Sequence, residues 1–214
     1  MLALPLVGAV IGALAGFVAL GVSRFAPHSL VAASALAVTI VASGAIHLDG
    51  FLDGCDAFFA SVSAPRRVEI LKDPSHGTFA LAGLLVLAAF WYAALVELPV
   101  ATYPATLALA GALGRAAALL GAAIYPSSRG RVDGGGLLLV LATIGSAAYL
   151  LCPLALAFVP AALLFSWLLA RWIAERCGGV VPGDGFGFIA TVLDVSLVNA
   201  AALLWWAGRW PGHG

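Results

Sequence analysis

Residues 2–22 read LALPLVGAVIGALAGFVALGV, twenty-one positions without a charge. A helix rises 1.5 Å per residue, and the hydrocarbon core of a bilayer needs about 20 apolar residues to cross it. The stretch is therefore long enough to span a membrane. It lacks the basic leader of a secretory signal, and comparable apolar segments recur along the chain. It reads as the first of several spans.

Working outward, further spans are expected near 29–46, 78–97, 101–124, 135–152, 154–173 and 187–207, seven in all. Only Cys152 and Pro153 separate the fifth from the sixth. One helix over 134–176 would measure roughly 65 Å, about twice the hydrocarbon thickness, so a turn at Pro153 is expected instead. The composition agrees: 63% of residues are hydrophobic and 9% charged, against about 25% charged in a soluble domain. The fold class that follows is all-α, a polytopic integral membrane helix bundle forming a single domain over 1–214. Tryptophans at 91, 172, 205, 206 and 210 are expected at span ends, where amphipathic rings favour the interface.

Other classes are excluded on the same grounds. Ten basic and ten acidic residues offer no basic face for nucleic acid. Cys55, Cys152 and Cys177 show no metal or disulfide spacing and read as small packing residues. Gly8, Gly12 and Gly16 recur every four residues, a period that lets helices approach closely. Packing within the chain is the expected use, although such a stripe also suits a homo-oligomer.

Seven spans place the loops 47–77, 125–134 and 174–186 on the side of the N-terminus. That side holds Arg66, Arg67, Lys72, Arg129, Arg131, Arg171 and Arg176, while the other holds Arg24 and Arg209, and Arg115 lies within a span. The bias assigns these loops to the cytoplasm.

One of the loops is unusual. HLDGFLDGCDAFFASVSAPRRVEILKDPSHGTFA (47–80) contains Asp49, Asp53, Asp56, Glu69 and Asp73, half of the ten acidic residues. Asp49, Asp53 and Asp56 follow i, i+4, i+7 spacing, which puts them within an arc of about 60° on one helix face. Like charges stacked this way destabilise a bare helix, unless a cation lies between them. Gly50 and Gly54 are expected to open that surface to a metal or substrate. Glu69 and Asp73 repeat the four-residue spacing on a short amphipathic helix ended by Pro74 and Gly77. The oxygens suit Mg2+, which keeps positions for water or phosphate, better than zinc, whose motifs the spacing of His47 and His76 does not match. Such a face suggests phosphoryl transfer, with Arg66, Arg67 and Lys72 holding phosphates. An ion-coupled transporter is the competing class; the near absence of charge within the spans favours an enzyme.

The two other loops, SSRGRVDGGG (127–136) and ERCGGVVPGDGFGF (175–188), carry glycines that permit close backbone approach to a ligand. Neither is a Walker A sequence. Their shared face with the carboxylates makes them candidate substrate loops.

The segment HLDGFLDGCDAFFA…RRVEILKDPSHGTFA resembles the signature of the adenosylcobinamide-GDP ribazoletransferase (cobalamin synthase) family, with PLVGAVIGAL, GRVDGG and GGVVPGDGFG extending the likeness over most of the chain. His47, Asp49, Gly50, Asp53, Asp56, Glu69, Ile70, Asp73, Gly77 and Thr78 fall in register with the pattern. The resemblance implies a multi-pass inner-membrane enzyme that uses Mg2+. It would join adenosylcobinamide-GDP to α-ribazole or its 5′-phosphate, releasing GMP. Asp49, Asp53 and Asp56 would be Mg2+ ligands, with Asp73 a further ligand or the base. Lys72 would contact phosphate and Asp184 would support metal or nucleotide. His47, Arg66, Arg67, Gly77, Thr78, Arg129, Arg131 and Gly183 complete the expected substrate surface.

The chain departs from the family pattern in places. An Arg-Pro-containing segment expected before PLVG is not seen, and Pro74 stands where Ser is usual. GGVVPGD replaces G-G-x-T-G-D, and Thr191 and Asp194 stand where other acidic residues are expected. The aspartate-rich pattern of CDP-alcohol phosphotransferases, an alternative enzyme class, is not matched, because no Arg follows Gly50 or Gly54 at the required place.

Overall fold

The computed structural model describes residues 3–126, 134–151 and 156–208. Arg129, Arg131, Asp133 and the expected turn at Pro153 lie outside the described residues. Within them the chain forms nine α-helices and no β-strand: α1 (Leu4–Val22), α2 (His28–Ala42), α3 (Ile46–Phe59), α4 (Ala64–Ile70), α5 (Thr78–Glu97), α6 (Tyr103–Ile124), α7 (Gly134–Leu151), α8 (Phe158–Arg176) and α9 (Gly183–Trp206). The protein is an all-α membrane bundle, as its composition requires.

Five of these helices, α1, α5, α6 with the short turn before it, α8 and α9, are long and apolar enough to cross a bilayer. The second expected span is shorter than 29–46. Helix α2 has 15 residues, about 22 Å at 1.5 Å per residue, and it reaches spanning length only together with α3, from which it is bent by 90°. The cause is local. Gly44 and Ala45 are both left-handed, with φ of 61° and 56°, a conformation rare for a residue carrying a Cβ. The chain breaks there and α3 starts in a new direction.

Helix α1 lies along α6 through the glycine stripe. A Cβ on Gly8 would stand 2.1 Å from the carbonyl oxygen of Gly111, and one on Gly12 2.1 Å from that of Leu107. One on Gly16 would stand 2.4 Å from the Cα of Pro104. The stripe thus serves packing within the chain, where dispersion between closely approached backbones replaces the hydrophobic drive that lipid cannot supply. Outward faces are greasy, with Leu6, Phe17, Leu85 and Leu203 all exposed, as lipid contact demands. Trp91 differs from the interfacial expectation: it is buried in the core at 6% exposure, because α5 turns it inward against the neighbouring helices.

Helix α3 runs across one end of the bundle. Its Gly50 abuts Asp184 and Gly187 at the start of α9, and its Cys55 lies against Gly83 early in α5. At its far end the Phe58 carbonyl accepts from Nε of Arg176, the last residue of α8. The Pro126 carbonyl, just after α6, accepts from the Val181 amide at 3.1 Å. The segments 47–77 and 174–186 therefore meet at one end beside the end of α6, and α3 packs there against α5, α8 and α9.

Candidate active site

Helix α3 is amphipathic. Phe51, Cys55 and Phe58 face inward while Asp49 is exposed and Asp53 and Asp56 are half-buried. Phe188 of α9 anchors it, stacking on Phe51 at 5.4 Å and meeting Phe58 edge-on at 5.5 Å between centroids. Gly54 opens this helix to α9, while Gly50 both abuts α9 and lines the cavity beside it. A Cβ on Gly54 would lie 2.6 Å from the Phe188 ring, and one on Gly50 3.0 Å from the Asp184 carbonyl. The glycines set how closely the carboxylate helix approaches α9.

The carboxylates separate into roles that spacing alone does not reveal. Asp56 accepts from the amides of Gly77 and Ala80, the latter at 3.0 Å, and so caps the start of α5. A Cβ on Gly77 would come 2.9 Å from Asp56 Oδ1, so glycine permits this contact. Asp73 accepts from the Ser75 amide at 3.0 Å and from its hydroxyl, and these bonds hold its carboxyl below the ordinary carboxylate range. Asp49 and Asp53 instead converge with His76, each offering one ligand atom within 4.8 Å of the others. His76 Nδ1 lies 3.4 Å from Asp53 Oδ1, and its Nε2 lies 4.0 Å from Asp49 Oδ1. Burial, then the charges of Asp49, Asp184 and Asp56, raise the Asp53 carboxyl to about 6, with His76 opposing them. Accumulated negative charge of this kind marks a place where a cation is favoured.

The cationic residues also divide. Arg67 is buried at 9% exposure, and its Nη1 donates to the carbonyls of Ala57 and Ala60, each at 2.7 Å. Its charge closes the C-terminal end of α3, whose last carbonyls lack helical partners. Arg66 pairs with Glu69 at 2.7 Å in an exposed i, i+3 contact. Lys72 and Thr78 are exposed beside the His76 loop. Gly183 and Asp184 are the first residues of α9 rather than part of a loop, because Pro182 is extended and starts the helix. They line, with His47 and Asp49, a cavity of about 420 Å³ between the bundle helices.

His76 is the residue that sequence reasoning left outside the site. Its signal was its position one residue before Gly77, inside the stretch that holds Asp73 and Thr78. Thr191 has a structural part, donating to the His47 carbonyl at 2.9 Å. Asp194 pairs inside the bundle with Arg115 at 3.1 Å.

Residues 1–202 match the family described as Cobalamin-5-phosphate synthase. The chain belongs to this family. Among similar curated proteins, the adenosylcobinamide-GDP ribazoletransferase of Deinococcus radiodurans is 34% identical over 91% of this chain and 72% of its own length. Those named alike from Stutzerimonas stutzeri and Syntrophobacter fumaroxidans are each 32% identical, over 93% and 94% of this chain and 84% and 85% of their lengths. No solved structure matches. In this cobalamin-5-phosphate synthase family member, a transferase, the carboxylate cluster and the cavity beside it occupy the polar end of a membrane bundle.

The donor set fits magnesium. Asp49 and Asp53 supply hard carboxylate oxygens and are open enough to leave further positions for water or phosphate, the arrangement Mg2+ prefers. One imidazole and two carboxylates without thiolates do not single out zinc.

Proposed function

We propose that the protein joins adenosylcobinamide-GDP to α-ribazole or its 5′-phosphate and releases GMP, with Asp49 and Asp53 holding Mg2+ on the cytoplasmic face of the inner membrane. The observation that carries this reading is the meeting of Asp49, Asp53 and His76 at the polar end of a bundle of this family. Bound there, the ion would neutralise charge on the transferring phosphoryl group.

The chain's own residues supply the rest. Asp53 Oδ1 faces His76 Nδ1, which orients the imidazole and stabilises its charged form as it takes the proton of the attacking hydroxyl. The new bond joins that oxygen to the phosphorus carried by cobinamide, and the bond from this phosphorus to the GMP oxygen breaks. Lys72 and Thr78, exposed at the rim, bind phosphate oxygens of the donor. Asp56 works indirectly, fixing the start of α5 and thereby the loop that carries His76.

The test is GMP release from adenosylcobinamide-GDP by purified protein in lipid, with α-ribazole or its phosphate and Mg2+. Turnover that disappears with a chelator and returns with Mg2+ supports the reading. A folded sample that releases no GMP overturns it. His76→Gln is expected to lower kcat by about 100-fold, within the range of general base catalysis. Wild-type kcat in that variant removes His76 as the base.

A further inference from the structure

A groove open to lipid runs down the outside of the bundle between α5 and α9. Its volume is about 490 Å³, and Ser196 is, among the described residues, the one lining side chain that carries an oxygen. Phe79 and Phe90 line it from α5, Phe188 and Val195 from α9, and Cys55 and Phe59 from α3. Phe59, Phe79 and Phe90 are exposed, on a bundle whose outer surface meets hydrocarbon. From Phe79 to Phe90 the groove follows α5 for about 16 Å at 1.5 Å per residue, half of the ~30 Å hydrocarbon core. It is one leaflet deep. It opens at the polar end, because Phe59 is the last residue of α3 and Phe79 the second of α5. At the deep end Asn199 Nδ2 donates to the Phe90 carbonyl at 3.2 Å and ties α9 to α5.

The mouth of the groove carries charge. Arg176 Nε donates to the Phe58 carbonyl at 3.0 Å, which places the guanidinium at the backbone beside Phe59. The guanidinium lies over the Trp172 ring at 4.4 Å, and Trp172 meets Phe59 at 5.3 Å between centroids. Among the described residues no carboxylate pairs with Arg176, whereas Glu69 engages Arg66 and Glu175 engages Arg171. Tryptophan at a helix end favours the headgroup layer, and a guanidinium fork binds phosphate oxygens. Nε takes the carbonyl, so the terminal nitrogens are the donors left for a phosphate.

We infer that this groove is a binding site for an anionic phospholipid of the leaflet at the polar end, with one acyl chain between α5 and α9 and the headgroup phosphate on Arg176. An apolar slot one leaflet deep, topped by an arginine without a carboxylate, has the polarity of that molecule from end to end. The back of the groove is α3. Phe51 and Cys55 line it, and at 100° per residue they lie opposite Asp49 and Asp53 on the same helix. The bound chain packs behind the carboxylate helix and against Phe188, the ring that anchors that helix to α9.

The full chain in detergent is titrated with phosphatidylglycerol and with phosphatidylcholine of equal chain length, and bound lipid is counted by native mass spectrometry while melting is followed in parallel. Wild-type protein is expected to bind phosphatidylglycerol about fivefold tighter, the scale of one basic residue at a lipid surface, and to melt higher with it. Arg176→Gln is expected to bring the ratio of affinities close to one. Ala82 is exposed and lines the groove from α5. Ala82→Trp fills the groove from the lipid side without entering the core, and it is expected to lose the bound lipid although Arg176 is intact. Equal affinity of wild-type protein for the two lipids overturns the inference whether or not any variant folds. So does an unchanged ratio in a folded Arg176→Gln, or phosphatidylglycerol binding that Ala82→Trp leaves intact. Displacement of the lipid by an equal concentration of glycerol 3-phosphate overturns it in favour of a free-anion site. A dimer that Ala82→Trp dissolves overturns it in favour of a contact between copies of the chain.

Discussion

Asp53 shows how the site works against the fold that holds it. Its carboxyl, raised from 3.8 to about 6 by burial and by three neighbouring carboxylates, binds protons in the folded state over a window where the unfolded chain has released them. The ion-free protein therefore gains stability as pH falls from above 6 towards 4, and carries the repulsion above 6. A divalent ion needs the deprotonated form, so Mg2+ affinity is expected to drop about tenfold per pH unit below 6. Asp53→Asn removes the repulsion and the ligand together. In chelator at pH 7.5 the variant is expected to melt about 2–4 °C higher than wild type, a shift that corresponds to about 1 kcal/mol after solvent screening. It should lose the Mg2+-induced rise in Tm and fall at least 100-fold in turnover. A Tm equal to or below wild type in chelator would show that the repulsion is not present.

At the scale of single elements, α3 depends on a cap that reaches it from the next helix. Arg67 sits near the middle of α4, yet its guanidinium closes the last turn of α3. Arg67→Met keeps the stem and deletes the donors. The loss is expected to be about 2–3 kcal/mol, the range for buried hydrogen bonds to a charged group, read as an earlier denaturant midpoint in detergent. A variant as stable as wild type would mean that water satisfies those carbonyls. The α1–α6 contact makes a sharper prediction. With Leu107 backbone 2.1 Å from a Cβ on Gly12, Gly12→Val must push the two helices apart. Folded yield is expected to collapse, whereas Gly21→Val, where a Cβ meets nothing within 4 Å, should express normally.

Across the whole molecule, the polar end gathers the start of α1, all of α3 and α4, the start of α5, the end of α8 and the start of α9. If the arginine bias sets orientation, that end faces the cytoplasm. Ser75→Cys, next to His76 and exposed, is expected to react with a membrane-impermeant maleimide in inverted vesicles and not in intact spheroplasts. Labelling of intact spheroplasts would reverse the orientation and place the reaction on the other side.

The hydrocarbon runs alone determined that the chain is a membrane bundle, because a bilayer accepts backbone only when its polar groups are bonded within a helix. The four-residue spacing likewise put Asp49 and Asp53 on one face, since helical period is a local property. Partners far apart in the chain were not legible. Asp56 meets Gly77 across 21 positions, and His76 meets Asp53 through a loop whose path no periodicity describes. Arg115 finds Asp194 across 79. Nor did composition distinguish a glycine that admits a ligand from one that admits a helix, as Gly54 does for α9. Local sequence decides which segments are helical and which medium each face prefers; only the close packing of those helices decides which charge meets which, because that depends on distances set by every side chain between them.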